Sequence, residues 1–140
     1  MASSRADLLR KVPLFADLEQ RDLESIASNL REVTFKGGQE VTSEGGGGVG
    51  FFVIQEGEAT VSVHGDERGK LRAGDYFGEI ALIARTDRTA TITADSDLRC
   101  LGMTSWDFRP LVESNGSIAW KLMRALAKKI QVVEQRPPEN

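Results

Sequence analysis

The segment richest in chemistry is Gly74-Asp75-Tyr76-Phe77-Gly78-Glu79-Ile80-Ala81-Leu82-Ile83-Ala84-Arg85-Thr86-Asp87-Arg88-Thr89-Ala90-Thr91-Ile92. Within it, Glu79 to Ile83 reads as barely one helical turn in β-rich surroundings. A helix that short leaves the backbone N–H groups at its start without intrahelical partners. Those donors, with the helix dipole, attract an anion, and Gly78, lacking a Cβ, lets a ligand approach the backbone closely. Arg88 follows at the start of the next strand-like run, where its planar fork can grip two oxygens of a phosphate. Glu79, acceptor-only when ionised, repels phosphate and suits a sugar hydroxyl. A guanidinium for phosphate and a carboxylate for a sugar together describe a nucleotide. Taken singly, Arg88 reads as a surface ion-pair residue and Glu79 as a carboxylate matched to a helix N-terminus. The ordered pair carries the inference.

These residues need a scaffold, and the chain supplies turn signals at short intervals. Ser4 is placed to cap a short helix through Lys11, which Pro13 stops. Leu18, Leu23, Ile26, Ala27 and Leu30 recur at helical spacing, predicting an amphipathic helix over about Glu19 to Asn29. From Val33 the pattern changes to short β-rich runs at Val33–Phe35, Glu40–Thr42, Phe51–Gln55, Ala59–His64, Thr89–Ala94 and Leu98–Met103. This is the cadence of a small antiparallel barrel or jelly roll. Gly37-Gly38, Gly57, Gly65, Gly69 and Gly74 read as turn glycines. Gly45-Gly46-Gly47-Gly48 has no lysine partner and no helix immediately after it, and is expected to be a hairpin loop rather than a phosphate cradle. After Met103, Ser105 is expected to cap a helix to about Glu113 that Asn115-Gly116 ends. Ser117 then caps a longer helix with Ile118, Leu122, Leu126, Ile130 and Val133 on one face, ended by Pro137-Pro138. The expected architecture is α+β: an antiparallel, jelly-roll-like β-roll over about 31–103, an N-terminal helical segment, a short phosphate-binding helix, and two C-terminal helices over about 105–135. Residues 1–140 read as a single domain.

The central segment resembles the cyclic-nucleotide-binding domain family, found in catabolite-activator-type regulators, cyclic-nucleotide-dependent kinases and gated channels. The family's phosphate-binding cassette runs Phe-Gly-Glu-(Ile/Leu)-Ala-Leu, a short loop, then Arg-(Ala/Ser/Thr)-Ala-Thr-(Val/Ile). Here it reads Phe77-Gly78-Glu79-Ile80-Ala81-Leu82 and Arg88-Thr89-Ala90-Thr91-Ile92. Pro13-Leu14-Phe15 and Phe51-Phe52-Val53-Ile54-Gln55-Glu56-Gly57-Glu58-Ala59 extend the likeness over roughly Leu8 to Val133. The resemblance implies that Glu79 takes the ribose 2′-hydroxyl and Arg88 the exocyclic phosphate oxygens. Backbone N–H groups around Gly78, Ile80, Ala81 and Leu82 complete the cradle, with Phe77 leading into it. Thr89 is placed to reach the phosphate or the 2-amino group of a syn guanine, so the implied ligand is cyclic AMP first and cyclic GMP second. Where the family often has proline before the arginine, this chain has Asp87.

Composition narrows the alternatives. The 140 residues carry a formal charge of -3, with 40% hydrophobic and 28% charged residues, so no cationic excess exists to neutralise a run of phosphates and no nucleic-acid partner is expected. Cys100 is the single cysteine and reads as a small buried hydrophobe. The start lacks an apolar signal core and no run is long enough to span a membrane, which points to a reducing cytoplasm. The single histidine, His64, sits beside Gly65-Asp66 at an expected hairpin tip, leaving neither a metal cluster nor a nucleophile with a base. The expectation is a non-enzymatic ligand sensor without a catalytic cofactor. Its ligand is expected to draw the last helix onto the roll, and its output is an unidentified protein partner or a homodimer through that helix. No helix-turn-helix follows before Asn140, so direct action on DNA is not expected. Trp120, Met123 and Ile130 on the same helix can line a lid over the base or serve as core and dimer contacts. The competing reading keeps the fold but binds no nucleotide and serves as a protein-interaction module.

Overall fold

The computed structural model describes residues 4–42, 50–84 and 90–135. The architecture is the expected α+β roll. Helices α1 (Arg5–Arg10) and α2 (Gln20–Ala27) precede eight strands, and α3 (Ser105–Glu113) and α4 (Gly116–Glu134) follow. The strands are β1 (Arg31–Phe35), β2 (Glu40–Thr42), β3 (Gly50–Glu56), β4 (Ala59–Val63), β5 (Asp66–Leu71), β6 (Tyr76–Phe77), β7 (Thr91–Ala94) and β8 (Leu98–Thr104). They form two antiparallel four-stranded sheets, ordered β1-β8-β3-β6 and β2-β7-β4-β5.

Side-chain alternation makes this three layers. In β3, Phe52 and Ile54 point into the roll with Phe77, Ile92, Leu98 and Cys100, while Phe51 and Val53 join the opposite cluster with Leu101 and Met103. That second cluster continues into the helices through Phe15, Leu23, Phe108, Ile118 and Leu122. The first sheet is therefore buried on both faces, which is why Phe51-Phe52-Val53-Ile54 is continuously apolar rather than alternating. Edge-on rings lock the junction, with Phe15 5.7 Å from Phe51 and 6.0 Å from Phe108.

Local chemistry sets the helix boundaries. Ser4 Oγ accepts from the Asp7 N–H at 3.1 Å while Asp7 reaches back to the Ser4 N–H, a reciprocal cap. Thr104, not Ser105, caps α3, and Asn115 caps α4 by accepting from the Ser117 and Ile118 N–H groups at 3.1 and 3.3 Å. Asn115-Gly116 thus starts the last helix instead of ending the previous one, and Ser117 lies inside it. The second helix is shorter than its apolar pattern predicts, with Ser28 and Asn29 turning back onto the Ser25 carbonyl.

Two strands escape the sequence pattern. β5 is an edge strand whose residues Asp66 to Arg68 face water, so it has no alternation to read, and Gly69 lies inside it rather than in a turn. β6 is two residues long. Gly38, Gly65 and Gly74 do adopt positive φ at turns, and His64 turns the β4–β5 hairpin with φ 52°. The Gly45–Gly48 run and Pro137-Pro138 lie outside the described residues.

Cys100 is fully buried inside the roll, and burial pushes its thiol up to about 11. The raised value means that the folded chain holds this proton more tightly than the unfolded chain. Stability is therefore expected to fall as pH climbs from the ordinary thiol value of 9.0 towards about 11. The thiol should react with a chromogenic disulfide in mildly alkaline buffer only at the rate of global unfolding. Rapid stoichiometric labelling of the native chain would contradict this placement.

Candidate ligand-binding site

The cassette begins where β6 leaves the first sheet. Two register pairs, Val53 with Tyr76 and Phe52 with Phe77, fasten β6 to β3. Mutual bonds from the Ile54 N–H to the Asp75 carbonyl and from the Gly74 N–H to the Ile54 carbonyl, each 2.8 Å, secure its leading end. Gly78 then takes φ 85°, a left-handed conformation that L side chains rarely adopt. That reversal turns the chain out of the ladder and into a single 3₁₀ turn, Ile80–Leu82.

The turn has an inner and an outer side. Phe77, Ala81 and Leu82 are buried, Ile80 is exposed, and Gly78 and Glu79 lie between. Leu82 belongs to the cluster that also holds Phe51, Phe108 and Leu122, so the turn is anchored from beneath. The Ala81 and Leu82 N–H groups are donated to the Gly78 and Glu79 carbonyls at 3.1 and 3.2 Å. The N–H groups of Glu79 and Ile80 make no backbone bond among the described residues, so of the expected cradle Ile80 keeps an open donor, Ala81 and Leu82 do not, and Glu79 is added. Burial, followed by the Glu79 and Asp75 carboxylates, raises the Tyr76 hydroxyl above its usual range. The Glu79 charge thus lies close enough to be felt at the foot of the turn.

Arg88 and Thr89 lie outside the described residues. The chain resumes at Ala90, whose carbonyl accepts from the Thr42 hydroxyl at 3.4 Å, and enters β7 between β2 and β4. The segment between Gly78 and Ala90 therefore crosses from the edge of one sheet to the interior of the other.

Beside this crossing the roll interior is not fully closed. Phe35, Val41, Phe52, Val61 and Leu71 are only partly buried while packing on the inner cluster. Phe52 sits 5.3 Å from the Phe77 ring and 5.9 Å from Phe35, forming a continuous aromatic wall that runs to the cassette. Two small residues make room for it: a Cβ at Gly102 would lie 2.8 Å from the Phe52 ring, and one at Gly50 3.0 Å. The sequence reading does not single out this wall. The available signal was Gly102, a glycine within an apolar strand run, which marks close approach of another group.

The aromatic wall ends at Phe77, next to the turn that carries the Glu79 carboxylate. The family model described as the cyclic nucleotide-binding domain matches residues 32–115. The cAMP-dependent protein kinase regulatory subunit of Eremothecium gossypii is 37% identical over 107 residues, covering 76% of this chain and 23% of the subunit. Among solved structures, the N-terminal domain of a transcriptional regulator from Streptomyces coelicolor A3(2) superposes with a TM-score of 0.87 at 25% identity, over 96% of this chain and 99% of that one. A cAMP-bound PfPKA-R superposes with a TM-score of 0.69 at 27% identity, over 94% of this chain and 47% of that one. The chain belongs to the cyclic nucleotide-binding domain family. Among the described residues, no helix is long and apolar enough to cross a membrane.

The Phe52 seat yields a direct test. Gly102→Ala drives a methyl group into the ring and is expected to cost about 1–3 kcal/mol in chemical denaturation. Gly69→Ala, where a Cβ meets nothing within 4 Å, is expected to be neutral or slightly stabilising.

Proposed function

We propose that this domain is a non-catalytic sensor of a purine 3′,5′-cyclic nucleotide, cyclic AMP first and cyclic GMP second. Glu79 takes the ribose 2′-hydroxyl, and the N–H groups at Glu79 and Ile80 meet the phosphate beside Gly78. Arg88 closes on the exocyclic oxygens, with Thr89 beside it. The base lies along the wall of Phe35 and Phe52. The supporting observation is the Phe77–Leu82 turn: a left-handed glycine and two open amide donors at the foot of a half-open aromatic wall. The preference for cyclic AMP draws support from the cAMP-dependent relative and the cAMP-bound structural neighbour. Occupancy is signalled through α4, which shares a hydrophobic cluster with Leu82 of the turn and is read by a protein partner or a second copy.

Calorimetric titration of the intact chain with cyclic AMP and cyclic GMP tests the reading. Arg88→Ala removes a charge-assisted bidentate contact and is expected to cost about 2–3 kcal/mol, roughly a hundredfold in affinity. Glu79→Gln keeps the shape and is expected to weaken binding about tenfold. Cyclic nucleotide recovered intact after long incubation is the expected outcome of binding without turnover. Absence of heat and of thermal stabilisation with either nucleotide would leave the fold as an interaction module instead.

A further inference from the structure

Among the described residues, three glycines lie inside strands of the roll, and the strand registers turn all three inward. Gly50 and Gly102 belong to the first sheet. Gly102 is the register partner of Phe52 and Gly50 precedes it by two residues, so both share its inward face. The chain itself fills the space over them, because a Cβ would meet the Phe52 ring at 3.0 Å over Gly50 and at 2.8 Å over Gly102. Gly69 belongs to the second sheet, on the edge strand β5, opposite Val61 of β4. Val61 and Leu71 both pack on the inner cluster, and Leu71 pairs with the buried Ala59, which fixes the inward side of β5 as that of Gly69. Among the described residues, a Cβ at Gly69 would meet nothing within 4 Å.

The backbone does not require a glycine there. A bulge lies beside it, since the register shifts between Val61 and Ser62 and leaves Arg68 as the extra residue. The kind of bulge that selects glycine does so for a left-handed φ, and Gly69 is not among the residues of positive φ. A glycine inside a strand otherwise weakens it and marks the close approach of another group. At Gly50 and Gly102 that group is Phe52, and at Gly69 the chain supplies none.

The opening looks across the roll at the aromatic wall. Phe35 and Phe52 stand on the first sheet, Val61 and Leu71 on the second, and all four are partly buried against one inner cluster. Facing sheets lie about 10 Å apart, so a purine stacked on one wall stays within a substituent's reach of the other. The flanks of the opening, Val61 and Leu71, are apolar, and the neighbouring Lys70 points outward to Thr60 and Asp95. A charged substituent would lose its hydration there without gaining a partner, whereas an apolar one would not.

We propose that Gly69 leaves a side slot at the base end of the pocket that takes an apolar, ring-sized substituent, so that the domain accepts 3′,5′-cyclic purine nucleotides enlarged on the base. This deepens the sensor reading above and rests on it. The probes are cyclic AMP and three derivatives, each bearing one phenyl-sized group, on N6, on C2 or on C8. Titrated calorimetrically into the intact chain, at least one derivative is expected to bind within about threefold of cyclic AMP or more tightly. Gly69→Leu fills the slot and is expected to weaken that derivative at least about tenfold more than it weakens cyclic AMP. Gly69→Ala is expected to give the same order with a difference of about threefold, which preserves the comparison should the leucine variant unfold. The proposal is overturned if every derivative binds more weakly than that threefold limit, or if the substitutions at Gly69 affect derivative and parent alike. Cyclic AMP failing to bind the native chain refutes the sensor reading itself, whereas cyclic AMP binding while all three derivatives are refused refutes only the slot.

Discussion

The Gly78–Leu82 turn hangs from a ladder only two residues long. β6 pairs with β3 at Tyr76 and Phe77, and the next residue, Gly78, leaves the ladder by a left-handed turn. A longer β6 would spend one of the Glu79 and Ile80 N–H groups on pairing with β3 and point the other away from the sheet edge. A longer helix would bury the same residues in a regular element. Stopping the strand there, with a residue that tolerates positive φ, leaves donors open at a fixed place. The apolar side chains that follow make this tolerable, because Ala81 and Leu82 bury themselves in the core beneath and hold the turn down.

The same placement joins the two hydrophobic clusters. Phe77 belongs to the cluster inside the roll and Leu82 to the one beneath the helices, so the stretch Phe77–Leu82 links both faces of the first sheet. A shift of the turn along its own axis must therefore be accommodated on both faces. Close-packed interiors accommodate such shifts by switching between alternative packings more readily than by stretching. The Phe52 ring, seated over Gly50 and Gly102, is the rigid reference on the roll side, and Phe108 with Leu122 is the matching reference on the helical side.

What could be read from the sequence follows from where the physics is local. The cassette was legible because a short motif fixes its own backbone, and the roll because its central strands carry apolar runs bounded by turn residues. β5 was not, since an edge strand of Asp66, Glu67 and Arg68 has water on both sides and no pattern to betray it. The helix caps were displaced because Thr104 and Asn115 are as good acceptors as the serines beside them, and only the backbone path decides between neighbours. The aromatic wall stayed hidden for a different reason. Phe35 and Phe52 look like ordinary core residues until the opposing side is seen to be incompletely filled. Arg88 and Thr89, the most explicit parts of the motif, fall outside the described residues.

On α4, Ile130 and Val133 are exposed and do not continue the apolar stripe with Ile118 and Leu122 that the sequence predicts, which shows where the molecule is soft. Its first half is held by Ile118, Leu122 and Ala125 in the core, burial worth several kcal/mol in total. Its second half offers Lys128 to Asp17 across a cleft of about 480 Å³, a pair more than half exposed on both sides. Exposed pairs contribute about 0–1 kcal/mol. Val132 and Val133, 57% and 63% exposed, add little burial. The helix is thus firmly seated at its start and weakly seated at its end, and the difference is comparable to the few kcal/mol that separate two populated states of a domain. Leu82 and Leu122 share one cluster with Phe108, and the part of α4 beyond Ala125 has the least burial to hold it in place.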